Sequence, residues 1–240
     1  MKICAAQTRP IKGDLQRNIA NHKKLIDLAV FYGADTVIFP ELSLTGYEPE
    51  LSKELATHQD DSRFDDFQKI SDDNQVTIGV GVPTKNNKGI CISMVLFQSQ
   101  KARQTYSKNY LHPDEEEFFI SGQSSAGFIV NKAALAICYE LSVPEHSEMA
   151  FKNGAEIYIA SVAKSVNQVD KAIKSLSAIG NKYSMMVLMS NCIGQSGGYE
   201  CAGKTSIWNN KGLLVGQLND RNEGIIIIDT GTEELIEKII

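Results

Sequence analysis

Short metal, redox and membrane signatures are missing from this chain. It has no Cys-x-x-Cys pair, no His-x-x-x-His pair, no run of basic residues, and no apolar stretch near the roughly 18 residues needed to span a bilayer. The five cysteines (4, 91, 138, 192 and 201) are odd in number and scattered. That suits free thiols in a reducing cytoplasm better than a disulfide framework. The four histidines (22, 58, 112 and 146) are dispersed, so no metal site is expected, and no cofactor either. His146 follows Pro144 and is expected on a helix surface rather than beside a thiol. A net charge of -5 without a basic cluster argues against nucleic acid or an anionic membrane as the main partner. The N-terminal Met1-Lys-Ile-Cys-Ala-Ala-Gln7 turns polar too early for a signal peptide. Gly194-Gln-Ser-Gly-Gly198 lacks the Lys-Ser/Thr that would follow in a phosphate loop, and reads as a flexible turn. A soluble cytoplasmic protein is the expectation.

What is present is a folded-enzyme composition: 240 residues, 42% hydrophobic and 22% charged. No Pro/Ser-rich linker interrupts it, so a single domain over 1–240 is the simplest organisation. Strands are expected at Lys2–Gln7, Asp35–Pro40, Val76–Val82, Ile90–Gln98, Glu156–Ser161, Met185–Asn191, Lys204–Trp208, Leu213–Leu218 and Gly224–Asp229. Ser125–Val130 and Ala133–Cys138 read as a further hairpin. Helical spacing appears from Leu15 to Val30, at Phe64, Phe67 and Ile70 (stopping before Asn74), and over Pro144–Lys152, Asn167–Tyr183 and Thr232–Ile239. Residues 48–62 are polar and acidic and read as a loop with short helical turns. Helices covering a largely buried mixed sheet follow from this order.

A faint internal echo refines the layout. Phe31-Tyr-Gly-Ala-Asp-Thr-Val-Ile-Phe-Pro-Glu41 and Phe151-Lys-Asn-Gly-Ala-Glu-Ile-Tyr-Ile-Ala-Ser161-Val162 both run from a helix end through Gly-Ala-acid into an apolar strand. Counted from each glycine, Glu41 and Val162 are equivalent. Two sheets whose strand tips face one pocket would place Ser161 and Val162 among its walls. Chance similarity of two helix–strand junctions explains the echo nearly as well.

Three strand-like runs end on reactive side chains: Thr36–Glu41 on a carboxylate, the stretch before Lys108-Asn-Tyr-Leu111 on an amine, and Ala133–Glu140 on the Cys138 thiol. Catalytic groups tend to sit where a rigid sheet hands over to a loop. A buried free cysteine is usually core filler, and Cys4, Cys91, Cys192 and Cys201 are read that way. Cys138 differs by its strand-end position and the N-H groups that follow it. Glu41, forced to the sheet edge, would have a raised pKa and could take the thiol proton; a helix N-terminal acid is the plain alternative. Lys108 in isolation would be solvated. Near the thiol it would lower the thiol's pKa and stabilise developing negative charge.

These residues also carry a resemblance. Phe39-Pro-Glu41-Leu-x-Leu-Thr-Gly-Tyr47, Tyr106-Ser-Lys108-x-Tyr-Leu111 and Ile137-Cys138-Tyr-Glu140-x-x-x-Pro144 resemble, in order, the three signature blocks of the nitrilase superfamily of carbon–nitrogen hydrolases. Asn18, Asn153-Gly-Ala-Glu156, Asn191–Gly194 and Gly203-x-x-Ser206 extend the similarity over essentially the whole chain. The resemblance implies a four-layer α-β-β-α sandwich with mixed sheets, in the α/β class, pairing as a homodimer. It implies Glu41 as general base, Lys108 as the oxyanion's cation and Cys138 as nucleophile. A second glutamate falls in the Glu115-Glu-Glu117 run. Counting back from Gly122 selects Glu115, although Ser121-Gly122 stands where the family often has Pro-Gly.

The expected chemistry is hydrolysis of a small linear amide through a cysteine thioester. Nitrile or N-carbamoyl hydrolysis, and a non-catalytic binding or assembly role, are the alternatives. Tyr47, Tyr139, Glu140, Ser161 and Val162 are candidate substrate-lining residues, from loops at 42–62, 110–124, 139–146 and 162–168.

Overall fold

The computed structural model describes residues 1–122 and 132–240. The first half runs β1 (Lys2–Gln7), α1 (Leu15–Phe31), β2 (Thr36–Ile38), α2 (Ser52–Leu55), α3 (Asp65–Asn74), β3 (Thr77–Asn86), β4 (Gly89–Phe97) and β5 (Gln104–Ser107). The second half begins with β6 (Ala133–Ile137), α4 (Pro144–Lys152), β7 (Ile157–Ser161), α5 (Val169–Tyr183) and β8 (Met186–Ser190). It closes with β9 (Ile193–Ser196), β10 (Tyr199–Ala202), β11 (Ser206–Trp208), β12 (Leu214–Gln217), β13 (Gly224–Asp229) and β14 (Leu235–Ile239).

Strand alternation builds two apolar layers from one sheet. On β1, Ile3 and Ala5 join one core while Cys4 and Ala6 join the other; on β13, Ile226 and Ile228 oppose Ile225 and Ile227. The seven-stranded sheet has the order β14-β13-β1-β2-β3-β4-β5, with β1, β2 and β3 parallel. The five-stranded sheet has the order β12-β11-β8-β7-β6, with β6, β7 and β8 parallel. The larger core lies between the sheets and continues to α4 and α5 through Ala150, Val169, Ala172 and Leu176. The second core packs α1 and Phe64, Phe67 and Phe97 on the far face of the larger sheet. Each such fully buried side chain stabilises by about 1.5–3 kcal/mol. The result is an α-β-β-α sandwich with mixed sheets.

Helix α1 begins where the Asp14 carboxylate accepts from Arg17 N–H at 3.1 Å. Its buried stripe includes Leu15, Asn18, Ile19, His22 and Ile26. Two polar members of that stripe fasten the loop after Glu41: Asn18 Nδ2 donates to the Leu44 carbonyl at 2.9 Å, and His22 Nε2 lies 2.9 Å from Ser43 Oγ. Opposite, β3 approaches so closely that a Cβ on Gly81 would stand 2.3 Å from the Pro40 carbonyl oxygen. Only glycine fits there, and its carbonyl accepts from Leu44 N–H at 3.0 Å.

Several expected elements change. Thr232–Ile239 is not a helix: Leu235–Ile239 forms β14, pairing Ile227 with Ile236 and Ile228 with Leu235. The short run is equally compatible with either period, and pairing satisfies the backbone groups of β13. Gly194–Gly198 contributes to a β9–β10 hairpin, with Gly197 and Gly198 at positive φ in its turn. Helix α3 continues through Asn74 and ends on a left-handed Gln75. The 125–130 arm of the expected hairpin lies outside the described residues. Among the described residues no helix is long and apolar enough to cross a membrane.

Candidate active site

The carboxyl ends of β2, β5 and β6 deliver the three reactive side chains. Beyond β2, Phe39 N–H donates to Gly79 O at 2.9 Å, which carries Glu41 to the edge of the sheet. Beyond β5, Lys108 is pinned through its backbone N–H to Ile92 O at 2.8 Å. Beyond β6, Cys138 opens a tight turn with φ of 46°. A non-glycine residue in this region carries strain of about 1–3 kcal/mol, held by the surrounding structure. The two sheets latch at the same end: Ser161 Oγ donates to Phe39 O at 2.8 Å and Ser190 Oγ to Ala6 O at 2.6 Å. The tips of β2 and β7 therefore face one another.

Lys108 Nζ donates to Glu41 Oε1 at 2.8 Å and to Glu115 Oε1 at 2.7 Å, with all three side chains buried. Glu115 is held further by Tyr47 O–H at 2.8 Å and by His112 N–H at 2.8 Å. Glu116 and Glu117 are exposed. Burial holds the Glu41 carboxyl above the usual carboxylate range, partly offset by Lys108. Its Oε2 has no well-formed hydrogen bond, and the Cys138 thiol interacts with this carboxylate. Burial, then Glu41, pushes that thiol up to about 11 against the opposing pull of Lys164 and Lys108. Burial works against the Lys108 ammonium, yet Glu41, Cys138 and Glu115 outweigh it and hold its pKa above the ordinary range.

A pocket of about 70 Å³ opens above this cluster, lined by Tyr47, Glu115, Cys138, Tyr139, Lys164 and Tyr199 among others. It adjoins a cleft of about 300 Å³ that shares Tyr139 and Lys164. Of the expected lining residues, Tyr47 and Tyr139 are at the pocket. Glu140, Ser161 and Val162 are not: all three are fully buried, with Ser161 spent on the inter-sheet latch. Pocket wall follows two or three residues later, at Ala163 and Lys164. The parallel register Ile137↔Ser161 brings Cys138 and this segment out at one sheet edge. Lys164 and Tyr199 were missed because neither stands in a motif. The only available signal was the equivalence of the β2 and β7 tips. Among the described residues no cluster of three or more His, Cys, Asp or Glu could hold a metal.

Comparison with known proteins adds the family. The sequence pattern of the carbon-nitrogen hydrolases matches residues 2–237. The chain belongs to the carbon–nitrogen hydrolase family. It is similar to the "Hydrolase in agr operon" of Staphylococcus aureus, 27% identical over 98% of this chain and 93% of that protein. It is also similar to the 2-oxoglutaramate amidase of Bacillus subtilis, 25% identical over 85% of this chain and 81% of that one. Its fold matches an amidase from Nesterenkonia sp. AN1 at 21% identity and a TM-score of 0.85, covering 95% and 90% of the two chains. That structure is of a mutant of the amidase, with the acetamide moiety of fluoroacetamide added covalently at its active-site cysteine.

In this carbon–nitrogen hydrolase Glu140 ties the cation's loop to the nucleophile's strand. Its carboxylate accepts from Asn109 N–H at 2.6 Å, Ile137 N–H at 2.7 Å and Tyr106 O–H at 2.8 Å. His146, expected at the surface, is buried beside it, 3.0 Å from Tyr106 Oη and 2.9 Å from Tyr158 Oη. Its ring lies on the buried side of α4, held between Tyr106 of β5 and Tyr158 of β7. Burial pushes the Glu140 carboxyl up to about 7 and the His146 imidazole down to about 4. A raised acid contributes stability that is complete below its ordinary value of 4.5 and is lost as pH rises through about 7. The lowered histidine has the opposite sign: its contribution is complete above 6.5 and is lost as pH falls through about 4. In Glu140→Gln the first limb disappears. Its melting temperature should decline less than the wild type's between about pH 5 and about pH 8. Parallel melting curves for the two proteins would show that Glu140 does not govern that limb.

Proposed function

We propose that this carbon–nitrogen hydrolase cleaves a small linear amide through a thioester on Cys138, releasing ammonia or an amine and a carboxylic acid. The observation that carries this reading is a buried ammonium shared by two buried carboxylates beside a strained, pocket-lining thiol. Glu41 takes the thiol proton as sulfur attacks the amide carbon. Lys108 has a third N–H beyond its two carboxylate bonds, and with the N–H of Tyr139 it holds the oxyanion. Protonated Glu41 passes its proton to the departing nitrogen. A water positioned by Glu41 and Glu115 then attacks the thioester, and the acid leaves.

The pocket admits only a handful of water-sized groups, which favours a short acyl chain at the reacting carbon. That the Bacillus and Nesterenkonia proteins are amidases supports an amide substrate. The test is ammonia release across a panel of short amides, nitriles and N-carbamoyl compounds, with mass spectrometry of Cys138 during turnover. The reading expects amide turnover and an acyl adduct on Cys138. Turnover of nitriles or carbamoyl compounds alone, or of nothing in the panel, would remove it.

A further inference from the structure

The pocket contains a second cation that the mechanism above leaves unused. Lys164 lies in the segment after β7, and its backbone is fastened on several sides. Its N–H donates to Asn191 Oδ1 at 2.8 Å, while its carbonyl accepts from Ala202 N–H at 2.9 Å and Asn191 Nδ2 at 3.2 Å. Asn191 in turn donates to Gly203 O at 2.8 Å, and the neighbouring Ser165 bridges to Cys201 on β10. The side chain is therefore presented from a rigid support into the pocket that Cys138 lines.

The carboxylates around that pocket are already engaged. Glu41 and Glu115 bond Lys108, and Asp114 pairs with His112 at the mouth. Among the described residues none forms an ion pair with Lys164. Its strongest electrostatic partner is the Cys138 sulfur, which also hydrogen-bonds it and raises its pKa against the effect of burial. Glu41 acts on it in the same direction, and Lys108 opposes.

Charge balance says what a second ammonium does there. With one lysine, the buried centre would carry two carboxylates against a single positive charge. Passing the thiol proton to Glu41 would then leave that excess negative charge on sulfur, with no cation of its own. With Lys164 ionised, Glu41 and Glu115 are matched by two ammonium groups. The sum stays neutral after the thiol proton moves to Glu41, since the thiolate takes over the charge the carboxylate loses.

We propose that Lys164 is a catalytic residue, the counter-ion that stabilises the Cys138 thiolate both when it attacks and when it leaves the thioester. In the first step the S–H proton passes to Glu41, the sulfur pair forms the C–S bond, and the carbonyl π pair moves to oxygen. In the second, water adds to the thioester carbon and gives a proton to Glu41. The C–S bond then breaks and its pair returns to sulfur beside Lys164. Glu41 reprotonates the sulfur. Lys164 keeps its own proton throughout. The inference rests on the nucleophilic role of Cys138 in the proposed function, but its readout does not need an amide substrate.

The experiment is the rate of Cys138 alkylation by iodoacetamide between about pH 6 and about pH 11, read by mass spectrometry, in wild type, Lys164→Met and Lys164→Arg. Tyr47, Tyr199, His112 and Asp114 also face the pocket and are unchanged in all three, so a difference reports the lysine. Lys164→Met is expected to alkylate on the order of tenfold more slowly at neutral pH, with its profile displaced to higher pH. Lys164→Arg should stay near the wild type. For a neutral amide, kcat should fall with little change in KM. A wild-type alkylation profile in Lys164→Met would overturn the proposal, as would a loss confined to KM for amides bearing a carboxylate. If Lys164→Met does not fold, Lys164→Gln is read by the same two criteria. Lysine-dependent alkylation in a protein that turns over no amide would leave this inference standing and remove the proposed function; amide turnover with lysine-independent alkylation would do the reverse.

Discussion

Cys138→Ala is expected to fold and to release no measurable ammonia from any amide the wild type accepts. Removing a covalent nucleophile costs on the order of 10⁶ in kcat, because the remaining groups bind and polarise the substrate but have nothing to attack with. The structural effect should be small. Alanine deletes one sulfur, carries the same backbone strain at a φ of 46°, and removes a thiol whose ionisation burial already opposes. A melting temperature equivalent to less than about 1 kcal/mol of change, together with lost turnover, is the combined signature. Turnover surviving in this variant would end the covalent mechanism. Cys138→Ser should fare little better, since a hydroxyl is far harder to deprotonate than a thiol at the same place.

Lys108→Ala should damage both stability and activity, and the two losses separate by pH. Breaking a buried ion cluster by removing one partner destabilises by about 3–5 kcal/mol, because the charges left behind are neither solvated nor paired. Here two carboxylates, Glu41 and Glu115, lose a shared ammonium. Protonating Glu41, whose carboxyl burial already holds above the usual range and which loses the opposing Lys108, relieves part of the penalty, so the stability gap between variant and wild type should shrink as pH falls. The loss of an oxyanion donor, about 10²–10³ in turnover, has no such remedy. Urea denaturation near pH 5 and near pH 8, alongside kcat at both, tests the pair of effects. Equal stability of the two proteins at the higher pH would mean the cluster is not the charged triad described above.

How much of this could be read in advance depends on whether the signal was local. The buried face of α1 is legible from its helical spacing, α4 from the proline that opens it, and β13 from its unbroken β-branched run. Residues 235–239 are too short to distinguish the two periods, and the edge of β13 not taken by β1 decides the outcome. Glu140, two residues after the cysteine, is expected on the pocket wall. The turn instead rotates it inward, where three donors meet it. His146 is expected at the surface from its helix alone, and packing against Tyr106 and Tyr158 buries it.

Local pattern alone therefore determined that a thiol, a carboxylate and an amine each end an apolar strand, and that the chain carries the blocks of its family. Which groups share a charge was settled only in three dimensions. Glu115 rather than Glu116 or Glu117 reaches Lys108 because the turn at Pro113–Glu115 folds its carboxylate back, and Lys164 arrives beside Cys138 because β6 and β7 leave their sheet in parallel register. Helical and strand periods are encoded within a few residues. The pairing of charges depends on closing loops tens of residues long, and no short window of sequence contains that information.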